Sequence, residues 1–282
     1  MKVLLFGANG QVGRALKASV REDMDLVSIG RSQCDLSDPD AIYKTVTNTA
    51  ADLIINAAAF TAVDRAETDR DEACAINSDA VGAMVSAGSG KLVHISTDFV
   101  FDGTQARPYR PRDKRNPLSV YGSTKAQGED HLRDDDLLIR TSWVYAAGGR
   151  NFVRTMLGLI RERDELRVVA DQIGAPTWAG GLAETIWALV AADACGVFHH
   201  SDAGVASWYD FAVAIREEAL AAGLLSNAAA VNPIATEDWP TPATRPAFSL
   251  LDCSTTREFL QDGFTHWRTN LRNMLTEEKN LG

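Results

Sequence analysis

Cysteine is scarce in this chain. Four stand among its 282 residues: Cys34, Cys74, Cys195 and Cys253, with no C-x-x-C pair among them. Such scattered thiols read as reduced and mostly structural, in a cytoplasmic protein rather than a disulfide-stapled secreted one. Long apolar runs are missing too, since nothing approaches the roughly 20 residues of a membrane-spanning helix. The chain opens on the strand-like "KVLLF" rather than on a basic stretch followed by a signal-type apolar run. Positive charge is in deficit: 28 Lys and Arg stand against 38 Asp and Glu, a formal net charge of −10. That balance argues against non-specific nucleic-acid binding, so neither nucleic acid nor membrane is expected as a partner. An anionic small ligand remains open, because a pocket can be locally positive within an acidic protein. Aromatic residues make up only 7%, yet hydrophobic residues reach 45%. That is enough for a sizeable core in roughly one to two domains.

Strand-like apolar runs alternate with helix-compatible segments through the first half. "KVLLF" precedes residues 11–20, "LVSI" precedes 38–49, and "DLIINAAA" precedes an Ala-rich stretch over 62–87. "KLVHIS" precedes a loop and the segment 121–132, and "LLIRTS" closes the series. This alternation predicts an α/β fold, a Rossmann-type doubly wound parallel sheet with helices on both faces. The second half is less regular. "NFVRTMLGLIRERDE", "AGGLAETIWALVAAD" and "SWYDFAVAIREEALAAG" read as helices, "LRVVA" and "GVFHH" as strands, and the proline-rich "NPIATEDWPTPATRP" as a surface loop. Residues 1–150 are expected to form a dinucleotide-binding domain, joined by a returning segment near 178–200. Residues 151–282 are expected to form mainly a smaller C-terminal substrate-binding lobe, with a cleft between the two. His199 and His200 are neighbours on a strand and point to opposite faces, so they read as structural rather than as a metal pair. The acidic run at residues 134–136 reads as solvated. The tryptophans other than Trp143 read as packing.

The stretch "GANGQVG", residues 7–13, follows the first strand and leads into a helical segment. Gly7 permits a tight turn, Gly10 lets backbone approach a pyrophosphate, and Gly13 lets helix and strand pack closely. The phosphates then sit at the positive end of the helix. The pattern is G-x-x-G-x-x-G, and its context of strand before and helix after carries the reading. An NAD site wants an acidic residue about twenty positions past this turn, for the adenosine ribose. Here Gly30-Arg31-Ser32 stands there instead. Arg31 with Ser32 suits a 2′-phosphate, which favours NADPH, with NADH as the alternative. Slightly later, Asp35 and Leu36 suit the amino group and face of the adenine.

"VYGSTKAQGE" carries Tyr121 and Lys125 at i and i+4, on one face of a helix. A nearby ammonium lowers a phenol from its usual value near 10 and makes it a better proton donor or acceptor. Lys125 also suits the nicotinamide ribose. "HISTDFVFDG" sets Ser96, Thr97 and Asp98 just past an apolar strand, where α/β sheets carry their sites. The Thr97 hydroxyl is the expected partner of a substrate carbonyl oxygen; a turn or capping role is its plainer alternative.

The glycine turn, "NAAA" at residues 56–59, "STDFVFDG" and "YGSTK" together resemble the short-chain dehydrogenase/reductase superfamily, in its sugar-nucleotide branch. "RTSWVY", "DQIGAPT" and "TRPAFSLLDCS" sharpen the resemblance, which spans nearly the whole chain. It implies reduction of the C4 ketone of a dTDP-linked sugar, dTDP-4-dehydro-L-rhamnose, by NADPH. It implies Gly10, Gln11 and Val12 on the cofactor phosphates and Ala59, Phe60 and Thr61 beside the nicotinamide ribose. It implies Tyr121 as catalytic acid with Lys125 on the ribose, Thr97 and Asp98 at the sugar, Trp143 packed against it, and Arg245 on the substrate diphosphate. Phe60 departs from the histidine common at its position. Some members bind Mg²⁺ at a dimer interface through glutamates. Here Ala15 occupies one such position and "LVAADACG" offers only Asp193, so no metal site is expected, and a monomer or weak homodimer is.

Other readings stay open at this point: a reductase of another dTDP-4-keto sugar, an epimerase or dehydratase, or a non-catalytic nucleotide-binding regulatory subunit. Asp98-Phe99 lacks the second carboxylate of a dehydratase. The missing acid after the second strand favours exchangeable NADPH over the retained cofactor of an epimerase. A regulatory subunit has no need of Tyr121, Lys125 and Thr97 together.

Overall fold

The computed structural model describes residues 1–88, 90–226 and 229–281. β1 (Lys2–Phe6), α1 (Gln11–Ala18), β2 (Asp25–Ile29), α2 (Pro39–Thr49) and β3 (Leu53–Asn56) open the chain; β4 (Lys91–Thr97) and β5 (Leu137–Thr141) continue it. With Gly196–His199 these strands form one six-stranded sheet, ordered β2-β1-β3-β4-β5 and then Gly196–His199, every pairing parallel. Alternate side chains leave a strand on opposite faces. Val3 and Leu5 join Ile55, Val93 and Ile139 against Leu182, Ile186 and Trp187 of the helix Ala179–Ala191. Leu4 and Phe6 join Ile54 and Leu92 against Ile42 and Val46 of α2. Burial on both faces is why these strands read as continuous apolar runs. A separate cluster packs Val153 and Leu157 of Phe152–Glu162 against Phe211 and Ile215 of Trp208–Ala221, and against Leu271 and Met274 of Trp267–Leu281. Among the described residues no helix is long and apolar enough to cross a membrane.

Strand order reverses at β1, which has β2 on one side and β3 on the other. Crossovers leave such a switch point in opposite directions and open a crevice beyond the carboxyl ends of the strands. The glycine turn, the Thr97-Asp98 pair and the segment after β5 all begin at that edge.

Three local expectations change. The Ala-rich stretch is not one helix but Val63–Ala66, Arg70–Cys74, a π-helical turn Ala75–Asp79 and Ala80–Ala87. The turn carries Asn77, whose Oδ1 accepts from the Phe60 N–H (2.8 Å) and whose Nδ2 donates to the Phe60 carbonyl (3.2 Å). The proline-rich stretch is not wholly loop: Ala230–Ile234 pairs in parallel with Glu165–Val169, and Pro233 stands opposite Val168 in a two-stranded ribbon. A ribbon of two strands has an outer edge on each, where a missing N–H is tolerated. The acidic run is not wholly solvated. Asp136 is buried, because its carboxylate accepts from the Leu92 N–H (2.7 Å) and pairs with Arg133 (2.8 Å).

The turn after β1 is held by glycine alone. Gly7 has a φ of +78°, and a Cβ on Gly13 would lie 2.1 Å from the Gly7 carbonyl oxygen. Gly13→Ala forces backbone apart and should cost about 2–3 kcal/mol in urea unfolding. Gly158 is the control: nothing lies within 4 Å of its added Cβ, so Gly158→Ala should be neutral or stabilising by about 0.5–1 kcal/mol. Equal effects at the two positions refute the packing argument.

Candidate active site

A cavity of about 760 Å³ opens over the carboxyl ends of the strands. The turn after β1 contributes Gly7, Gly10, Gln11 and Val12; the segment after β2 contributes Arg31, Asp35 and Leu36; that after β3 contributes Ala59 and Thr61. Thr97 and Asp98 enter from β4, Tyr121 and Lys125 from the helix Val120–Glu129, Trp143 from the segment after β5, and Arg245 from a distant loop. Gly13 and Phe60 do not line it. Gly13 packs on Gly7, and the Phe60 ring is buried under the Arg65 guanidinium, 4.6 Å from its centroid.

One end of the cavity suits phosphate. α1 starts at Gly10 without a side-chain cap, so its first-turn N–H groups keep the open positive end typical of a helix start. Gln11 and Val12 of that turn line the cavity. A Cβ on Gly10 would meet only Gly7, at 3.3 Å, and would otherwise fill cavity space. Backbone at that point is therefore open to a bound pyrophosphate. Arg31 stands at the same mouth, mostly exposed, with Nη2 3.4 Å from Glu72. Glu72 in turn is held closer by Arg65, at 2.7 Å, which leaves Arg31 available to an anion. Hydrogen bonds from the Ser37 N–H and hydroxyl hold the Asp35 carboxyl below its usual range.

The other end suits proton transfer. Glycines seat the helix Val120–Glu129: a Cβ on Gly122 would lie 2.2 Å from the Phe99 carbonyl oxygen, and one on Gly128 would lie 2.2 Å from that of Asn77. That close seating buries Lys125 and half-buries Tyr121 beside β4. Burial pushes Tyr121 up to about 12; the Thr97 hydroxyl works against that shift and the Asp98 charge with it. Burial also brings Lys125 down to about 8, with Glu129 pulling the other way. The i, i+4 spacing leads one to expect a phenol lowered by the ammonium. Instead, Lys125 Nζ donates to the Ile95 carbonyl (2.7 Å) and lies 3.1 Å from His94 Nε2, and desolvation dominates the phenol. Thr97 takes the capping role and also lines the cavity. Its Oγ1 accepts from the Phe99 N–H (3.2 Å) and donates to Asp98 Oδ1 (3.0 Å), while facing the cavity.

The opposite side of the cavity shows a tryptophan pair that sequence reasoning does not single out, and Arg245 in an ion pair, the plainer alternative to a diphosphate contact. Trp208 stacks on Trp143 with centroids 3.6 Å apart and planes 11° apart, and both line the cavity. Arg245 is clasped by Asp64, with Nη1 to Oδ1 at 3.0 Å and Nη2 to Oδ2 at 2.8 Å, and its Nη1 also donates to Thr241 Oγ1. Asn77 and His94 are likewise invisible in the sequence. Apart from the local Arg245–Thr241 bond, these contacts join separate segments of the chain, and no spacing rule announces them.

A switch-point crevice with a glycine turn, Thr97 and a Tyr–Lys helix defines the class: a dinucleotide-binding oxidoreductase of short-chain dehydrogenase/reductase type. The chain belongs to the RmlD substrate binding domain family, whose model matches residues 1–280. It is 41% identical to a Burkholderia thailandensis protein named dTDP-4-dehydrorhamnose reductase, over 95% of this chain and 96% of that one. The fold superposes on a dTDP-4-dehydrorhamnose reductase of Clostridium acetobutylicum with a TM-score of 0.92 and 34% identity, covering 99% of this chain and 100% of that one. It also superposes on a dTDP-4-dehydrorhamnose reductase of Bacillus anthracis in complex with NADP, with a TM-score of 0.91 and 34% identity, covering 98% and 99%.

Asp98 gives this site a pH signature. Burial raises its carboxyl from 3.8 to about 6, against hydrogen bonds from Ser249 and Thr97. The unfolded chain therefore loses this proton first, and stability falls as pH rises from about 4 to about 6, then stays lowered. Asp98→Asn should raise stability at neutral pH by about 1–3 kcal/mol, with the gain fading by about pH 4. Thermal unfolding at both pH values checks it, and a gain independent of pH excludes the ionisation argument.

Proposed function

We propose that this protein is an NADPH-dependent reductase of a nucleotide-linked keto sugar, acting on the C4 ketone of dTDP-4-dehydro-L-rhamnose to give dTDP-L-rhamnose. The observation that carries the reading is a half-buried phenol, pushed up to about 12 by desolvation, facing a cavity whose far end is open to phosphate. The names of the relatives supply the sugar, and the NADP-bound neighbour together with Arg31 supports the dinucleotide.

The bound dinucleotide supplies the hydride. Tyr121 holds a proton at its Oη until negative charge develops on the ketone oxygen, then gives it up. Thr97 Oγ1 turns its proton from Asp98 toward the same oxygen. Lys125, fixed by Ile95 and His94, holds the ribose side and offsets the charge left on the phenol. The clasp of Asp64 takes the Nη1–Nη2 fork of Arg245 and keeps the guanidinium at the cavity wall, where its remaining N–H groups are left for a diphosphate. The Trp143–Trp208 stack gives the sugar an apolar wall.

A dehydratase reading lacks its second acid: Phe99 stands there, edge-on to Tyr121 with centroids 5.6 Å apart. We also infer a cytoplasmic location, in keeping with the reduced-thiol pattern, and a monomer or weak homodimer. Asp193, the one acid near a metal-bridged interface of the family, is engaged by Lys91 at 2.8 Å.

The deciding experiment incubates the protein with a panel of dTDP-4-keto sugars and either NADPH or NADH, following absorbance loss and product configuration. One NADPH consumed per dTDP-L-rhamnose formed supports the reading; conversion without net NADPH loss supports an epimerase. Tyr121→Phe should lower turnover by about 10²–10⁴-fold while NADPH affinity, read by fluorescence titration, stays unchanged. Full turnover in that variant removes Tyr121 from the mechanism.

A further inference from the structure

Under the Tyr–Lys face a line of polar side chains runs from Asn56 through His94 to Lys125, and the reaction as described gives no role to the state of the first two. Asn56 ends β3, His94 lies beside it on β4 in direct register, and Lys125 approaches from the helix. Asn56 and His94 have no exposed surface, and Lys125 is 1% exposed. The Ala58 N–H donates to Asn56 Oδ1 at 3.1 Å. Asn56 Nδ2 then faces His94 Nδ1 at 3.2 Å, and His94 Nε2 faces Lys125 Nζ at 3.1 Å.

Each partner has a fixed capacity to donate or accept. A backbone N–H can only donate, so it fixes which end of the Asn56 amide is oxygen. The amide NH₂ can only donate, so His94 Nδ1 must accept and carries no proton. Burial holds the imidazole well below its usual range, hence neutral. A neutral ring with a bare Nδ1 carries its hydrogen on Nε2. That N–H points at Lys125 Nζ, a group that accepts only as the neutral amine.

We propose that His94 is a positioning residue of this site: locked by Asn56 as the Nε2–H tautomer, it aims an N–H at Lys125 Nζ and makes the lysine hold its third proton loosely. The proposal rests on the reductase reading for its kinetic consequence, not for its geometry. Protonating Lys125 requires either two N–H groups set against each other or reversal of both His94 and Asn56, which breaks the Ala58 bond. Other charges near the pair do not replace this control. Glu129 on the same helix is held by Arg140 (2.7 Å) and Arg115 (3.1 Å). Asp98 faces Tyr121 rather than the amine, and its partners are Ser249 and Thr97. The ammonium form is the one that offsets charge on the phenol, so turnover should fall as pH rises through the Lys125 pKa.

His94→Gln tests this. Its side-chain amide can turn its carbonyl to the ammonium, so the alkaline limb of the kcat profile should move up by about one pH unit. NADPH affinity should stay within about threefold. In the wild-type protein saturated with NADP, ¹⁵N NMR of labelled histidine should report His94 with Nε2 protonated and Nδ1 bare, assigned by its loss in the variant. The Lys125 side chain, followed by ¹³C shifts, should titrate higher in His94→Gln. An alkaline limb that does not move, or an Nδ1–H or doubly protonated His94, overturns the proposal. Should the variant fail to fold, mutation of the other histidines assigns the wild-type signal, and the tautomer decides. Should no keto sugar be reduced, the reductase reading falls while the tautomer and the Lys125 titration still judge His94.

Discussion

Desolvation of two ionisable side chains, Lys125 fully buried and Tyr121 half-buried, at the carboxyl edge of a parallel sheet is the constraint on which this site depends. Removing an isolated charge from water costs several kcal/mol even after relaxation, so the fold must decide which groups carry charge there. For Tyr121 the same cost works in the direction of the reaction. A phenol pushed to about 12 keeps its proton across the physiological range, which is the state a proton donor needs. For Lys125 it works the other way: burial lowers the amine to about 8, while its Nζ donates to the Ile95 carbonyl and lies against His94 Nε2. A lysine one turn away lowers a tyrosine only where its charge outweighs the cost of desolvation. Here each is governed by what it lost on burial.

One helical turn beyond Lys125, the fold answers a second electrostatic problem. Glu129 is buried and accepts from the Ser96 hydroxyl, from Arg140 through two nitrogens, and from Arg115. Ser96 and Arg140 are direct register partners on β4 and β5. This one carboxylate therefore ties the helix bearing Tyr121 to two strands at once. A buried pair of this kind contributes little net stability compared with apolar packing, yet breaking it on one side is costly. Its value here is geometric. With Glu129 held by two guanidinium groups, its pull on Lys125 is reduced, and the amine is left to respond to the closer His94.

Much of this was legible in the residues. Parallel strands bury both faces, so β1, β3 and β5 appear as unbroken apolar runs, and the βα order follows. Glycines at 7, 10 and 13 could be read because turn geometry and close approach admit almost nothing else. Tyr121, Lys125 and Thr97 could be read because helix period and strand ends fix where such side chains emerge. What stayed hidden depends on contacts between distant segments. Nothing local in "AINSD" announces a π turn that clamps Phe60, and an Asp64–Arg245 clasp spans most of the chain. Asp136 read as solvated because its neighbours are acids; it is buried because Leu92 offers a backbone N–H and Arg133 a counter-charge. The direction of the Tyr121 shift also escaped, since sequence spacing records proximity but not depth.

The two walls of the cavity are held by different means. On the dinucleotide side the positions are fixed by main chain: a glycine turn, a helix start and strand ends. On the sugar side Trp143 adopts a φ of +47°, a conformation that bulky residues rarely hold without support. Its support is visible. Trp208 covers the indole, Gly174 has no Cβ where one would lie 3.0 Å from the ring, and the Thr177 N–H donates to the Trp143 carbonyl at 3.3 Å. Gly174 and Thr177 both lie in "DQIGAPT", so that stretch acts by shaping the backbone around an aromatic wall rather than by chemistry of its own. A strained residue propped from three directions presents one orientation to the cavity. This wall is thus set by shape, while the Tyr121–Lys125 end is set by charge.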